Sequence, residues 1–191
     1  MSSKLQISPR LREIVDRELK PHEVIQWIGQ PIPKFFTSDL ITAVLFGIPW
    51  TTFSLFWVWG ATGFGSLLTQ GLTPLLLFPL FGVPFVLIGF GMLSLPIRTR
   101  QLALQTVYVI TDRRAISIEG GKSSIIQSYS PQQLKVVYRQ ENKDGTGNVI
   151  FTVKSWKDSD GDEQSKPIGF MNIRDPKQVE DLLKTLADIQ I

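Results

Sequence analysis

LITAVLFGIPWTTFSLFWVWGATGFGSLLTQGLTPLLLFPLFGVPFVLIGFGMLSLPI, from Leu40 to Ile97, is 58 consecutive residues without one Asp, Glu, Lys, Arg or His. All 20 Lys and Arg and all 17 Asp and Glu of the 191-residue chain lie outside it. A hydrocarbon layer about 30 Å thick is crossed by roughly 20 apolar residues in a helix. The stretch suits two crossings joined by a turn and is too long for one. Lipid offers the backbone no hydrogen-bond partner, so each crossing has to be helical. The expected class is an integral membrane protein with a small soluble part.

The crossings are expected from about Leu40 to Trp59 and from about Leu72 to Ile97, with uncharged, glycine-rich Gly60–Ser66 between them. Trp57 and Trp59 fit an aromatic belt at the far interface, and Phe35 and Phe36 one at the near interface. Lys34 flanks the entrance, Arg98 and Arg100 flank the exit, and the connecting loop carries no charge. The positive-inside rule then places both ends in the cytoplasm, or on the equivalent face of an internal membrane. A bacterial inner membrane and a thylakoid both satisfy this. Pro74, Pro79 and Pro84 predict a bent second helix. Gly82, Gly89 and Gly91 permit close approach of another membrane helix. Intramembrane charge normally marks an ion or proton path, so its absence argues against transport.

What remains divides into an N-terminal segment, 1–36, and a soluble part, 98–191, on either side of a hairpin spanning 37–97. Ninety-odd residues make one compact domain. The net charge of +3 divides into +1 before the apolar block and +2 after it, too weak and too mixed for a nucleic-acid partner. There is no cysteine, which excludes disulfides and thiolate chemistry. The charged N-terminus has no apolar segment of the signal-peptide kind, so delivery is expected to rely on the hairpin. Pro9–Lys20, with Leu11, Ile14, Val15 and Leu19 at helical spacing, predicts a short amphipathic helix. Its basic residues favour the membrane surface or a partner over packing on the soluble domain.

After Arg100 the apolar residues alternate with a period of two, as in half-buried strands. Strands are expected at Leu104–Ile110, Arg114–Glu119, Ser124–Tyr129, Leu134–Arg139, Val149–Val153 and Ile168–Ile173. Gly120-Gly121 and Asp144–Asn148 form turns. No helix separates the strands, so they should pair as antiparallel neighbours in a curved sheet or small barrel. Asp175 as N-cap and Pro176 at the first position then open a helix whose stripe is Val179, Leu182, Leu183, Leu186 and Ile189. The resulting class is a membrane hairpin plus an α+β or all-β domain, a small antiparallel barrel capped by a C-terminal amphipathic helix. That order of elements resembles the pleckstrin-homology arrangement.

Two motifs carry a family resemblance. Tyr108-Val109-Ile110-Thr111-Asp112-Arg113-Arg114, followed by a strand and Gly120-Gly121, resembles the signature of bacterial pleckstrin-homology-like (PH-like) domain membrane proteins. Glu18–Pro31, with Glu23, an apolar pair and the ending Trp27-x-Gly29-x-Pro31, resembles the lead-in of the same family, with His22 where that family carries glycine. The order of lead-in, two-helix hairpin and PH-like domain also matches. The resemblance runs from about Glu18 to the C-terminus and implies a fold and a membrane location, without a shared activity.

Thr111–Arg114 is the most suggestive polar cluster. It is either a turn with solvated charges or, with Arg98 and Arg100, a patch for anionic headgroups or a docking partner. Trp156, on the outward side of the Val149–Val153 strand, is a candidate partner anchor. Asp158–Glu163 lacks the glycine and glutamate spacing of a calcium loop and reads as a solvated hairpin turn. His22, the only histidine, has no second ligand or triad partner, and neither Gly63-Phe64-Gly65 nor Gly145-Thr146-Gly147 has the context of a phosphate loop. No catalytic residue, cofactor or metal is expected. The leading expectation is a non-enzymatic membrane protein whose cytoplasmic-face domain docks a protein partner. Such a protein is an accessory or assembly factor of a membrane complex, with thylakoid photosystem assembly as one version. The alternative is recognition of anionic lipid headgroups by the domain.

Overall fold

The structure, a computed structural model, describes residues 7–33, 37–61, 77–121, 123–134, 136–158 and 161–188, with 38, 77–79 and 154–156 described in backbone only. The chain divides into two compact units: Lys34–Arg100 is one, and Met1–Pro33 with Gln101–Ile191 is the other. The N-terminal segment is thus part of the soluble unit rather than a separate element. Lys34, Phe35, Phe36 and residues 62–76, with the expected start of the second crossing at Leu72 and with Pro74, lie outside the described residues.

The first unit holds α2 (Ser38–Ala61) and most of α3 (Leu77–Leu104). Asp39–Ala61 and Leu80–Leu104 are long and apolar enough to cross a membrane, and only 17% and 11% of their apolar windows is buried. Proline stands inside both helices, at Pro49 and at Pro84 and Pro96. The helices meet where side chains are small. A Cβ on Gly89 would lie 2.2 Å from Thr51 Oγ1, and one on Gly82 would lie 2.4 Å from Val58 Cγ2. These two glycines therefore serve the partner helix of the same hairpin, whereas Gly91 faces open space. Buried polar groups are satisfied locally: Thr51 Oγ1 donates to Gly47 O (2.6 Å) and Ser54 Oγ to Trp50 O (2.8 Å). The Trp50 indole N–H donates across the hairpin to Phe85 O at 3.0 Å.

The soluble unit contains α1 (Pro9–Glu18), β1 (Ile25–Gly29), β2 (Thr106–Thr111), β3 (Ala115–Glu119), β4 (Ile125–Tyr129), a 3-10 turn (Pro131–Gln133), β5 (Tyr138–Glu141), β6 (Thr146–Lys157), β7 (Glu163–Arg174) and α4 (Pro176–Asp188). All strand pairs are antiparallel. They form two sheets, ordered β1-β2-β3-β4 and β5-β6-β7, so the expected barrel is not closed. The fold is a helix-plus-sheet mixture. The strand expected at Leu134–Arg139 starts only at Tyr138, after the 3-10 turn, and the last strand begins five residues earlier than alternation suggests. Leu104 ends α3 instead of opening a strand.

β1 escapes a periodicity reading because its partner is distant in sequence. Ile25 pairs with Thr111 and Gly29 with Tyr108, so the helical hairpin is an insertion between two neighbouring strands. Trp27 and Gly29 explain each other, since a Cβ on Gly29 would sit 2.4 Å from the Trp27 ring. The ring stacks on Phe170 (5.9 Å), which also stacks on Tyr108 (4.6 Å) and meets Phe151 edge-on (5.4 Å). Gln30 closes this end by donating its side-chain N–H to Leu104 O and Thr106 O.

The four-stranded sheet is covered on both faces. Tyr108, Ile110, Ala115 and Tyr129 join Phe151, Phe170, Val179, Leu183 and Leu186 in one core. Val107, Val109, Ile116 and Ile118 form a second core with Leu11 and Val15 of α1. This corrects the expectation for α1: its apolar stripe packs on the sheet. Its outward basic residues are partly neutralised within the helix by Arg12–Asp16 (3.4 Å) and Arg17–Glu13 (2.9 Å).

On α4 the expected stripe is buried at Val179, Leu183 and Leu186, and Ile189 lies outside the described residues. Leu183→Asp strands a carboxylate in this core and is expected to cost several kcal/mol. Gln178→Asp, on the exposed side of the first turn, should be tolerated. Equal protease resistance of the two full-length variants would contradict the packing. Lys184 is no neutral control, because its Nζ lies 2.7 Å from the carboxylate of buried Glu180, which also binds Arg139.

Candidate functional site

The strongest polar constellation joins the two sequence motifs. Glu23 follows α1 and Arg114 follows β2, and pairing of β1 with β2 brings them together across 91 positions. Arg114 Nε donates to Glu23 Oε1 at 2.8 Å and Nη2 to Oε2 at 3.0 Å, a bidentate pair. The Glu23 side chain is 0% exposed and that of Arg114 12%. The rest of the guanidinium is used as well, by Glu18 O (2.8 Å), Glu18 Oε1 (3.3 Å) and Ser128 Oγ (3.2 Å). Glu23 also accepts Lys20 N–H and the Thr111 hydroxyl, both at 2.8 Å. Thr111 Oγ1 in turn accepts the N–H groups of Arg113 and Arg114. Asp112 holds β1 through Val24, accepting its N–H at 2.9 Å.

Burial alone would raise the Glu23 carboxyl. The hydrogen bonds from Arg114, Lys20 and Thr111, with the guanidinium charge, outweigh it and hold the group at about 2. Every lone pair and proton has a use inside the protein, so this constellation is a clasp and not an open site. Arg114, expected as a contact residue, has its guanidinium engaged by Glu23 and Glu18. The signal that would have found it is Glu23 itself, in the motif that resembles the family of the Thr-Asp-Arg-Arg motif.

The other candidates separate. Arg113, its side chain 51% exposed, lies 3.7 Å from Asp112. Arg98 and Arg100 are exposed residues of α3 and belong to the hairpin unit, whereas Arg113 and Arg114 belong to the soluble unit. The side chain of Trp156 lies outside the described residues. Of the expected Asp158–Glu163 turn, Ser159 and Asp160 lie outside the described residues; Asp158 Oδ1 accepts Asp162 N–H (3.0 Å) and Gly161 has φ 87°. Among the described residues no group of His, Asp and Glu side chains is arranged to hold a metal.

The described residues also line cavities. One of about 230 Å³ lies between α2 and α3, lined by Trp50, Phe53, Trp57, Phe81 and Phe85. Another, about 440 Å³, lies where Arg10 and Leu11 of α1 meet Gln105 and Gly120-Gly121. Neither brings together a nucleophile and a base.

His22 adopts φ 64°, a left-handed conformation that costs an L-residue with a Cβ roughly 1–2 kcal/mol. It is exposed. Glycine suits this position, and His22→Gly is expected to stabilise the chain by about 0.5–1 kcal/mol. A thermal melt of the detergent-solubilised protein checks this, and a lowered midpoint would contradict it.

The fold and its polar chemistry define a class: a mixed helix-and-sheet chain with two helices long and apolar enough to cross a membrane and a second compact unit held by a buried ion pair. Comparison with protein-family models, curated proteins and solved structures finds no match.

Proposed function

We propose that the chain is a non-enzymatic integral membrane protein, crossing the bilayer twice with both ends cytoplasmic, whose PH-like domain docks a protein partner of a membrane complex. The observation that carries the membrane reading is the surface of the hairpin. Leu45 and Phe81 are 66% exposed, and Phe46, Phe53, Leu87 and Phe90 are more than half exposed. A soluble protein buries such helices, and an apolar surface this continuous needs lipid. The orientation rests on Lys34, Arg98 and Arg100 against an uncharged loop.

Support for the PH-like reading comes from four-plus-three antiparallel strands with α4 packed on their shared core, from the clasp that unites both motifs, and from a left-handed backbone where that family carries glycine. Support for docking is the β4 edge of the first sheet, on which no further strand pairs among the described residues. β4 pairs with β3 in an unbroken register and carries Ile125, 54% exposed, and Ile126, 39% exposed, without a charge or proline. Domains that stay solitary blunt such edges. The exposed Arg98 and Arg113 favour a second reading, binding of anionic lipid headgroups.

Two experiments decide. The chain has no native cysteine, so Ser3→Cys, Ser66→Cys and Ser159→Cys can be labelled singly in intact cells with an impermeant reagent. Ser66→Cys is expected to react from outside and the other two to be protected, and the reverse pattern overturns the topology. Affinity isolation of the full chain in mild detergent should recover a stoichiometric protein, lost when Ile126 is changed to Lys. Recovery of anionic lipid alone, lost on changing Arg98 and Arg113 to Ala, would establish the second reading.

A further inference from the structure

The second sheet ends unevenly. The β5 ladder stops at Tyr138↔Ile150, whereas β6 and β7 stay paired from Thr152↔Ile168 to Lys157↔Glu163. Six residue pairs therefore extend past the third strand as a two-stranded ribbon. Val153 is 52% exposed, and every residue from Glu163 to Pro167 is exposed. A ribbon of two strands is only marginally stable in water, and a third strand remedies this.

Its two edges are not equivalent. The β7 edge contains Pro167, the residue with which edge strands resist added strands. The β6 edge from Thr152 to Lys157 contains no proline, and among the described residues no strand takes up the ladder there after β5 stops. The register puts 152/168, 154/166 and 156/164 on one ribbon face, with Lys154 directly opposite Lys166 and Trp156 opposite Gln164. Like charges in opposed positions repel, and opposite charges attract. The complement of this face is a carboxylate at the Lys154 register position, with apolar residues two positions away. A lipid headgroup meets the charge but has no N–H and C=O ladder with which to extend a sheet.

We propose that the β6 edge between Thr152 and Lys157 docks an extended acidic segment of a partner protein, added as the third strand where β5 leaves off. This rests on the docking reading and adds to the β4 edge a second docking edge of stated chemistry. Backbone pairing supplies affinity in such strand addition, and alternate side chains supply specificity.

The test uses the full chain in nonionic micelles with labelled octapeptides, read by fluorescence anisotropy. The probes are an octapeptide with a central glutamate, valine two positions to either side and threonine elsewhere, its counterpart with lysine in place of glutamate, and two versions of the acidic peptide N-methylated at alternate amides, one in each phase. The acidic peptide is expected to bind about tenfold more tightly than the basic one. Methylation in one phase should weaken it by about tenfold and in the other leave it nearly unchanged, because only alternate amides of an added strand face the ladder. K154E/K166E should invert the charge preference and K154A/K166A abolish it, with unchanged melting curves. Binding insensitive to both methylation phases, or an unchanged preference in K154E/K166E, overturns the proposal. So does displacement of the acidic peptide by short-chain phosphatidylglycerol with no effect of methylation, which would point to lipid. Failure of the docking reading shows separately, as absence of a native partner in the affinity isolation.

Discussion

Arg114→Ala is expected to destabilise the soluble unit by about 3–5 kcal/mol, the usual loss when one member of a buried ion pair is removed. Glu23 is left buried and charged with only Lys20 N–H and the Thr111 hydroxyl for company, and Glu18 O loses its 2.8 Å donor. Arg113→Ala, one residue away and half exposed, should change stability by no more than about 0.5 kcal/mol. Against a domain stability of about 5–15 kcal/mol the contrast is large. Limited proteolysis or thermal unfolding of the full-length variants in detergent measures it. Similar losses in both would mean that the two arginines act alike, as a surface patch.

Acid provides an independent reading of the same pair. The Glu23 carboxyl is depressed in the folded protein from 4.5 to about 2. Its contribution is thus fully present above the unfolded value, near pH 5, and disappears as pH falls toward 2. That shift corresponds to about 3 kcal/mol. Glu23→Gln should be less stable than the parent at pH 7 and should lose less on acidification, so the two curves converge near pH 2. Parallel curves would show that Glu23 does not titrate with unfolding.

The isolated tail from Gln101 to Ile191 is not expected to fold. Without the N-terminal segment β2 becomes an edge strand, and Val107, Val109, Ile116 and Ile118 lose Leu11 and Val15. Phe170 loses Trp27 and Arg114 loses Glu23. Each large apolar side chain removed forfeits about 1.5–3 kcal/mol, and together with the clasp this exceeds what a small domain holds in reserve. Residues 1–33 joined directly to 101–191 by a short Gly-Ser linker should instead give a soluble protein with cooperative unfolding, because Gly29 and Tyr108 are paired neighbours. A well-dispersed NMR spectrum of the linked protein, and its absence for the tail, is the expected result. A folded tail would show α1 and β1 to be dispensable, and two unfolded proteins would show that the soluble unit requires the hairpin.

Elements whose physics is local are legible in the chain before it folds. Lipid imposes a one-dimensional code of length and apolarity, so Leu40–Ile97 declares two helices without reference to anything else in the chain. Proline after Asp175 and a 3.6-residue stripe likewise declare α4, and period-two alternation declares β2 and β3. Tertiary structure alone decided which partner each element takes. β1 is five residues long, and its partner β2 lies beyond the hairpin, so no window of sequence contains both. The amphipathic pattern of α1 says that one face avoids water, but not whether lipid or a sheet covers it. Arg113 and Arg114 are adjacent and chemically identical, yet one is half exposed and the other clasped. The difference arises from alternation along the chain and from Glu23, delivered by a strand pair whose closure entropy is offset only by the complete two-faced sheet.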